Sequence, residues 1–306
     1  MRSVPDWINN RHCSVGGGLS RSPVAVFSIV VAAFAARPAA AHVFWVQPDT
    51  FRPAVGASTA VRLVIGDDFP GEQRPRDAKK IERFELIGPG PDARSVAVQG
   101  SDGANPAGEI ATARPGGYAV VFRGTESIIT LEPEQFEEYL REDGLDDALR
   151  SRRERGESAA PGREAYSRCA KALLCAGGEG AKTGNAWSVP AGLAFEIMPA
   201  SDPCAARTGD SFEFILLRDG RPLAGAKLTA LYSADGRTHR ASARTDAAGR
   251  ASFTLARPGL WVINAVAMDR AEGKLRRPDV DWISVWTSLS FDVAPSAREP
   301  LPAHKP

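Results

Sequence analysis

Short runs in which apolar and polar side chains alternate recur along most of this chain. The stretches "STAVRLVIG" (58–66) and "KIERFELIGPG" (80–90) alternate, the second ending on a Gly-Pro turn; "RSVAVQG" (94–100) is shorter, and "GGYAVVFRG" (116–124) follows a Pro115-Gly116 turn. Successive side chains on a strand point to opposite faces, so this period of two predicts half-buried antiparallel strands. The pattern changes at "LEPEQFEEYLREDGLDDALRSRRERGES" (131–158). There Phe136, Tyr139 and Leu140 fall on one helical face, Pro133 suits a first helical turn, and Gly144 suits a stop. A second, very polar helix is expected over 145–155. "REAYSRCAKALLCAGG" (163–178) then returns to a strand pattern, although its first half also admits a helix.

A change of composition near 198–203 marks an expected domain boundary. Beyond it, "GDSFEFILLRDGRPLAGAKLTALY" (209–232) reads as strands around an Asp-Gly-Arg-Pro turn, and "ARTDAAGRASFTLARPGLWVINAVAM" (243–268) as strands around Asp246 to Gly249. "DWISVWTSLSFDV" (281–293) closes the pattern. The series looks like the transthyretin-like and carboxypeptidase-regulatory-like Greek-key modules. The expectation is therefore a mainly β protein of two β-sandwich domains. The first spans 42–198, with a helical excursion at about 133–158, and the second spans 199–294, with Trp261, Trp282 and Trp286 in its core. A Pro-rich tail, 295–306, follows.

The segment before residue 42 has a different character. "VAVFSIVVAAFAA" (24–36) is an uncharged apolar run, too short for a membrane-spanning helix, preceded by Arg2, Arg11 and Arg21 and followed by small residues at Ala39 and Ala41. This order is that of a signal peptide over 1–41, cleaved after Ala41, which makes His42 the first residue of a periplasmic or secreted protein with no transmembrane segment. About 265 residues would remain. With 38 Lys and Arg against 37 Asp and Glu, the chain has no electrostatic footprint for nucleic acid. An oxidising compartment makes the cysteines informative. Cys169 and Cys175 lie roughly 20 Å apart on a strand, too far to pair with each other. Cys169 with Cys204 is the favoured disulfide, on the premise that "AYSRCAKALL" and "LAFEIMPASDPC" are antiparallel neighbours.

A string of segments is similar to the DUF4198 family. It consists of His42-Val43-Phe44-Trp45, "PDTFRPAVG", Gly66 with Phe69-Pro70-Gly71-Glu72, "IERFELIGP", "SDGANPAG", "RPGGY", "EEYLREDGL", "GREAYSRCAKALL", "SDP" and the closing "DW…W…SLSF". The resemblance implies an exported bacterial protein, with some members associated with nickel or cobalt uptake systems. It also implies a histidine at the position of Ala267, where this chain departs from the pattern.

An N-terminal histidine offers an α-amine and an imidazole from one residue, and can chelate Ni²⁺ or Cu²⁺ once both are deprotonated. His42 is accordingly the candidate metal ligand, for nickel, cobalt or copper. It needs a second protein ligand. His239 sits in a polar turn and His304 in the tail; Glu72, Asp281 and the Asp67-Asp68 pair are carboxylate alternatives. No H-E-x-x-H, G-x-S-x-G or phosphate loop occurs in the mature chain, so no catalytic residue is named and the protein is read as a non-enzyme. The expected function is an exported accessory protein handling metal for a membrane uptake complex. The alternative is a β-sandwich module that binds a protein or glycan without metal.

Overall fold

The computed structural model describes residues 42–90, 95–178 and 186–296. The expected leader, most of the tail and His304 lie outside them. In chain order the elements begin with β1 (Val43–Pro48), β2 (Ser58–Gly66), β3 (Glu72–Arg74), β4 (Ile81–Ile87), β5 (Ser95–Ala97), β6 (Gly108–Ala111), β7 (Gly116–Gly124) and β8 (Ser127–Leu131). Two helices follow, α1 (Pro133–Glu142) and α2 (Asp146–Glu154). The second half contains β9 (Gly162–Ala176), β10 (Phe195–Pro199), β11 (Ser211–Arg218), β12 (Arg221–Pro222), β13 (Lys227–Ala234), β14 (Arg237–Arg244), β15 (Arg250–Thr254), β16 (Gly259–Arg270) and β17 (Trp282–Val293). The protein is mainly β.

The helices form where the pattern placed them. Pro133 occupies the first turn of α1, where its missing N–H costs nothing, and Phe136, Tyr139 and Leu140 are its buried face. Gly144, at φ +67°, supplies the left-handed turn that ends it. The stretch 163–178 is not helical: residues 163–176 lie in the 15-residue strand β9.

Strands build three sheets. The large one runs β14-β13-β16-β17-β9-β7-β4-β5, with β8 also on β9. A four-stranded sheet of β1, β2, β3 and β6 covers one of its faces, and another of β10, β11, β12 and β15 covers the other, as the two core clusters between them show. Both helices pack beside the first small sheet, on the same face.

The expected boundary at 198–199 falls inside β10, and the large sheet takes strands from both sides of it. β17 and β9 pair in parallel from Trp282 opposite Glu164 to Ser290 opposite Ala172. That pairing links segments more than a hundred residues apart, which turn chemistry cannot report because parallel neighbours need no hairpin.

Two expectations need correction. Trp261 belongs to the core between the large sheet and the β10–β11 sheet, but Trp282 and Trp286 pack against α1 instead. The reason is parity: even-numbered residues of β17 face the helices, while Leu289, Phe291 and Val293 face the other core. The disulfide joins Cys175, not Cys169, to Cys204, with Cα atoms 5.6 Å apart. Cys169 is free and buried. β9 and β10 are in different sheets, so the premise of adjacent strands fails, and the 3-10 turn at Pro203–Ala205 carries Cys204 to the end of β9.

Candidate functional site

His42 stands at the entrance of β1, and hairpin register decides its partner. β1 and β2 pair with Val43 opposite Gly66, so the next position outward sets His42 against Asp67. His42 Nδ1 and Asp67 Oδ2 are 2.8 Å apart, both side chains part-buried. The loop that presents Asp67 is held on three sides. Phe69 packs edge-on to Trp45 with ring centroids 5.6 Å apart, and its N–H donates to Thr238 Oγ1 at 2.7 Å. Arg240 donates to the Asp67 carbonyl and to Asp68 Oδ1. Gly71, at φ +75°, closes the loop where a Cβ would lie 2.5 Å from the Trp45 ring, so no other residue fits.

Beside this pair lies a buried polar group that the sequence did not single out. Because β16, β17 and β9 are in register, Glu164, Tyr166 and Arg168 share a face with Ser284, Trp286 and Ser288 and with Asn264 and Val266. Glu164 accepts from the Tyr139 hydroxyl at 3.1 Å and from Ser284 Oγ, which in turn accepts from Trp286 Nε1 at 3.2 Å. Tyr139 stacks on Trp286 at 5.4 Å. Burial raises the Glu164 carboxyl, against the lowering effect of these donors, and raises the Tyr139 hydroxyl, helped by the Glu164 charge.

Asp143, at the end of α1, is a second displaced carboxyl of this region. Burial is the main cause, and the charges of Glu142, Glu164 and Asp67 add to it, so that it is pushed up to about 7 despite the opposing Lys227. The residue nonetheless keeps part of its surface open to solvent. Asp67 thus has a second acid within electrostatic reach. No sequence signal marked this cluster: Glu164 is one of several polar residues in β9, beside Arg163, Ser167, Arg168 and Lys171, and Asp143 is one of many acids in the helical segment.

The other candidates do not converge on His42. His239 stacks on Tyr232 at 5.4 Å, and Tyr232 on Trp261 at 4.4 Å. That puts His239 on the opposite face of β14 from Thr238 and Arg240, which reach the Asp67 loop. Asp281 is held by Arg163 through two bonds of 2.8 and 2.7 Å, which lower its carboxyl pKa. Glu72 is exposed and paired with Arg74, and Asp68 is paired with Arg240. Ala267 is buried in the core on the far side of the large sheet, so a histidine there would not face His42. Among the described residues no three His, Cys, Asp or Glu side chains converge as a metal cage. None of their helices is long and apolar enough to cross a membrane.

Comparison with known proteins adds a family and little more. No curated protein matches. A crystal structure of a DUF4785 family protein from Legionella pneumophila is similar at 7% identity and a TM-score of 0.22, over 71% of this chain and 50% of that one. A tetra-tandem repeat from the extending region of a large adhesion protein is similar at 12% identity and a TM-score of 0.20, over 83% of this chain and 49% of that one. The chain spans about half the length of each. The family described as a domain of unknown function, DUF4198, matches residues 39–269, and the chain belongs to it.

Proposed function

We propose that this is an exported binding protein that holds a divalent transition metal, nickel, cobalt or copper, through His42 and Asp67, as an accessory to a membrane uptake complex. One observation carries the reading: the 2.8 Å separation of His42 Nδ1 and Asp67 Oδ2. Metal–nitrogen and metal–oxygen bonds of roughly 2.0–2.1 Å at a right angle put the two donors roughly 2.9 Å apart. A metal ion held by both would therefore leave the donor separation almost unchanged, each side chain turning so that its lone pair points at the ion rather than at its partner. Nδ1 is also the ring nitrogen that closes a six-membered chelate with the α-amine of the same residue. Cleavage after Ala41 would free that amine and supply the third donor absent from the side chains alone. The Cys175–Cys204 pair supports export, since disulfides persist in oxidising compartments.

The test is calorimetric titration of Ni²⁺, Co²⁺ and Cu²⁺ into protein beginning at His42, beside the same protein with one glycine added before it. The glycine turns the chelating amine into an amide and should weaken binding at least tenfold. His42→Ala and Asp67→Asn should each weaken it, and acid should abolish it by protonating imidazole and amine. Equal affinity with and without the glycine would show that the terminus is not a ligand. No binding by either form would leave a protein- or glycan-binding module as the better account.

A further inference from the structure

A second feature on the same face of the large sheet points to a different ligand. Beneath Val43 and Phe44 lies a cavity of about 10 Å³, lined by Arg168, Cys169, Asn264, Trp286 and Thr287. It has room for one oxygen-sized atom. Two of its lining residues carry buried polar atoms without a partner, Arg168 Nε and Asn264 Oδ1; Ser288 Oγ, directly across the strand pair from Asn264, is a third. Asn264 and Ser288 are only 5% and 2% exposed. Unpaired buried polar groups are costly, and three in one place call for an occupant.

Arg168 is built like a receptor. Its guanidinium lies over the Phe44 ring at 5.8 Å and the Tyr166 ring at 4.8 Å, so two aromatic faces hold the plane. Among the described residues no carboxylate stands within ion-pair distance of it, Glu164 acting on it only from further away, whereas Arg163 on the same strand and Arg270 at the end of β16 are both paired. A planar guanidinium held by Tyr166, with its Nε unpaired beside a pocket for one oxygen, matches a carboxylate, one oxygen of which would enter the cavity. The Asn264 amide, whose oxygen and nitrogen can exchange places by rotation, and the Ser288 hydroxyl can both donate to it. The guanidinium fork also matches phosphate, which is therefore the competitor that the test includes.

We propose that Arg168, with Asn264 and Ser288, receives the carboxylate of a small organic acid in this cavity. The site does not depend on the metal reading, and its test is run in metal-free buffer with a chelator. Trp286 lines the cavity and gives the signal. Acetate and succinate should each change tryptophan fluorescence saturably, whereas chloride and phosphate at matched ionic strength should not. Arg168→Gln should weaken succinate binding roughly ten- to a hundredfold, as loss of a charged hydrogen-bonded pair does. Arg168→Lys should recover little of it, because an ammonium lacks the fork. Asn264→Ala, a milder change, should weaken binding several-fold and carries the test if the arginine variants fail to fold. The proposal is overturned if the wild type binds neither acid, if Arg168→Gln or, where that variant does not fold, Asn264→Ala binds as the wild type does, or if phosphate binds as tightly as succinate.

Discussion

Lys171 and Glu196 form an ion pair between the large sheet and β10, with Nζ and Oε1 2.6 Å apart and the side chains only 2% and 1% exposed. The two partners are not equivalent. Glu196 also accepts the backbone N–H groups of Ala191, Gly192 and Leu193 at 2.8, 3.1 and 3.2 Å, so it pins the segment leading into β10. Lys171 has Met198 Sδ at 3.1 Å as its other polar neighbour. Lys171→Met keeps the volume and leaves a carboxylate that still has three donors; its cost should lie near ~3 kcal/mol, the low end for a broken buried pair. Glu196→Leu strands three N–H groups at ~1 kcal/mol or more each and leaves a buried ammonium, so ~4–6 kcal/mol is expected. At roughly 2–4 °C per kcal/mol for a chain of this size, calorimetry should resolve the two. The double variant should cost less than the sum, since neither charge is then left alone. If Glu196→Leu proves no more costly than Lys171→Met, the carboxylate is not what holds the 191–193 segment, and the two partners are energetically equivalent.

Trp261, 1% exposed and hydrogen-bonded to the Arg257 carbonyl, should cost roughly 3–5 kcal/mol on replacement by Ala in denaturant titration; a near-neutral result would contradict its place in the core. Non-reducing peptide mapping should find Cys175 linked to Cys204 and Cys169 free, and reduction should remove about 3.5 kcal/mol for a loop of 29 residues; three free thiols would remove that clamp. Asp143 binds its proton more tightly in the folded state, at about 7 against an ordinary 3.8, so its contribution is present at low pH and lost as pH rises towards 7. Melting temperature should therefore fall with pH across that window, and Asp143→Asn should flatten the fall; an unchanged slope would assign it to other groups. Mass spectrometry of the exported protein should find His42 at the N-terminus, and a mature form retaining 24–36 would remove both the export reading and the α-amine.

Much of the architecture was legible from local chemistry. Alternation located the strands because a half-buried sheet imposes a period of two, and Pro133, the Phe136–Tyr139–Leu140 face and Gly144 bounded α1 because helix ends and helix faces are local properties. The two-residue parity even implied that Trp282 and Trp286 share a face. Which layer covers that face is a matter of long-range pairing, and there the sequence was silent. The parallel ladder of β17 on β9 places Glu164, Arg168, Trp286 and Asn264 together from three distant segments, and no short-range signal records it. The cysteines erred for the same reason: Cys169 and Cys175 have the same parity, and only the path of the 203–205 turn selects between them. His42 stood out as chemistry at an expected cleavage point, but its partner emerged from the β1–β2 register, and its unsuitability for His239 or Asp281 from faces and ion pairs elsewhere. Residue type and local period set what each segment can be; which segments meet depends on burying all the faces at once, and that is a property of the assembled sheets.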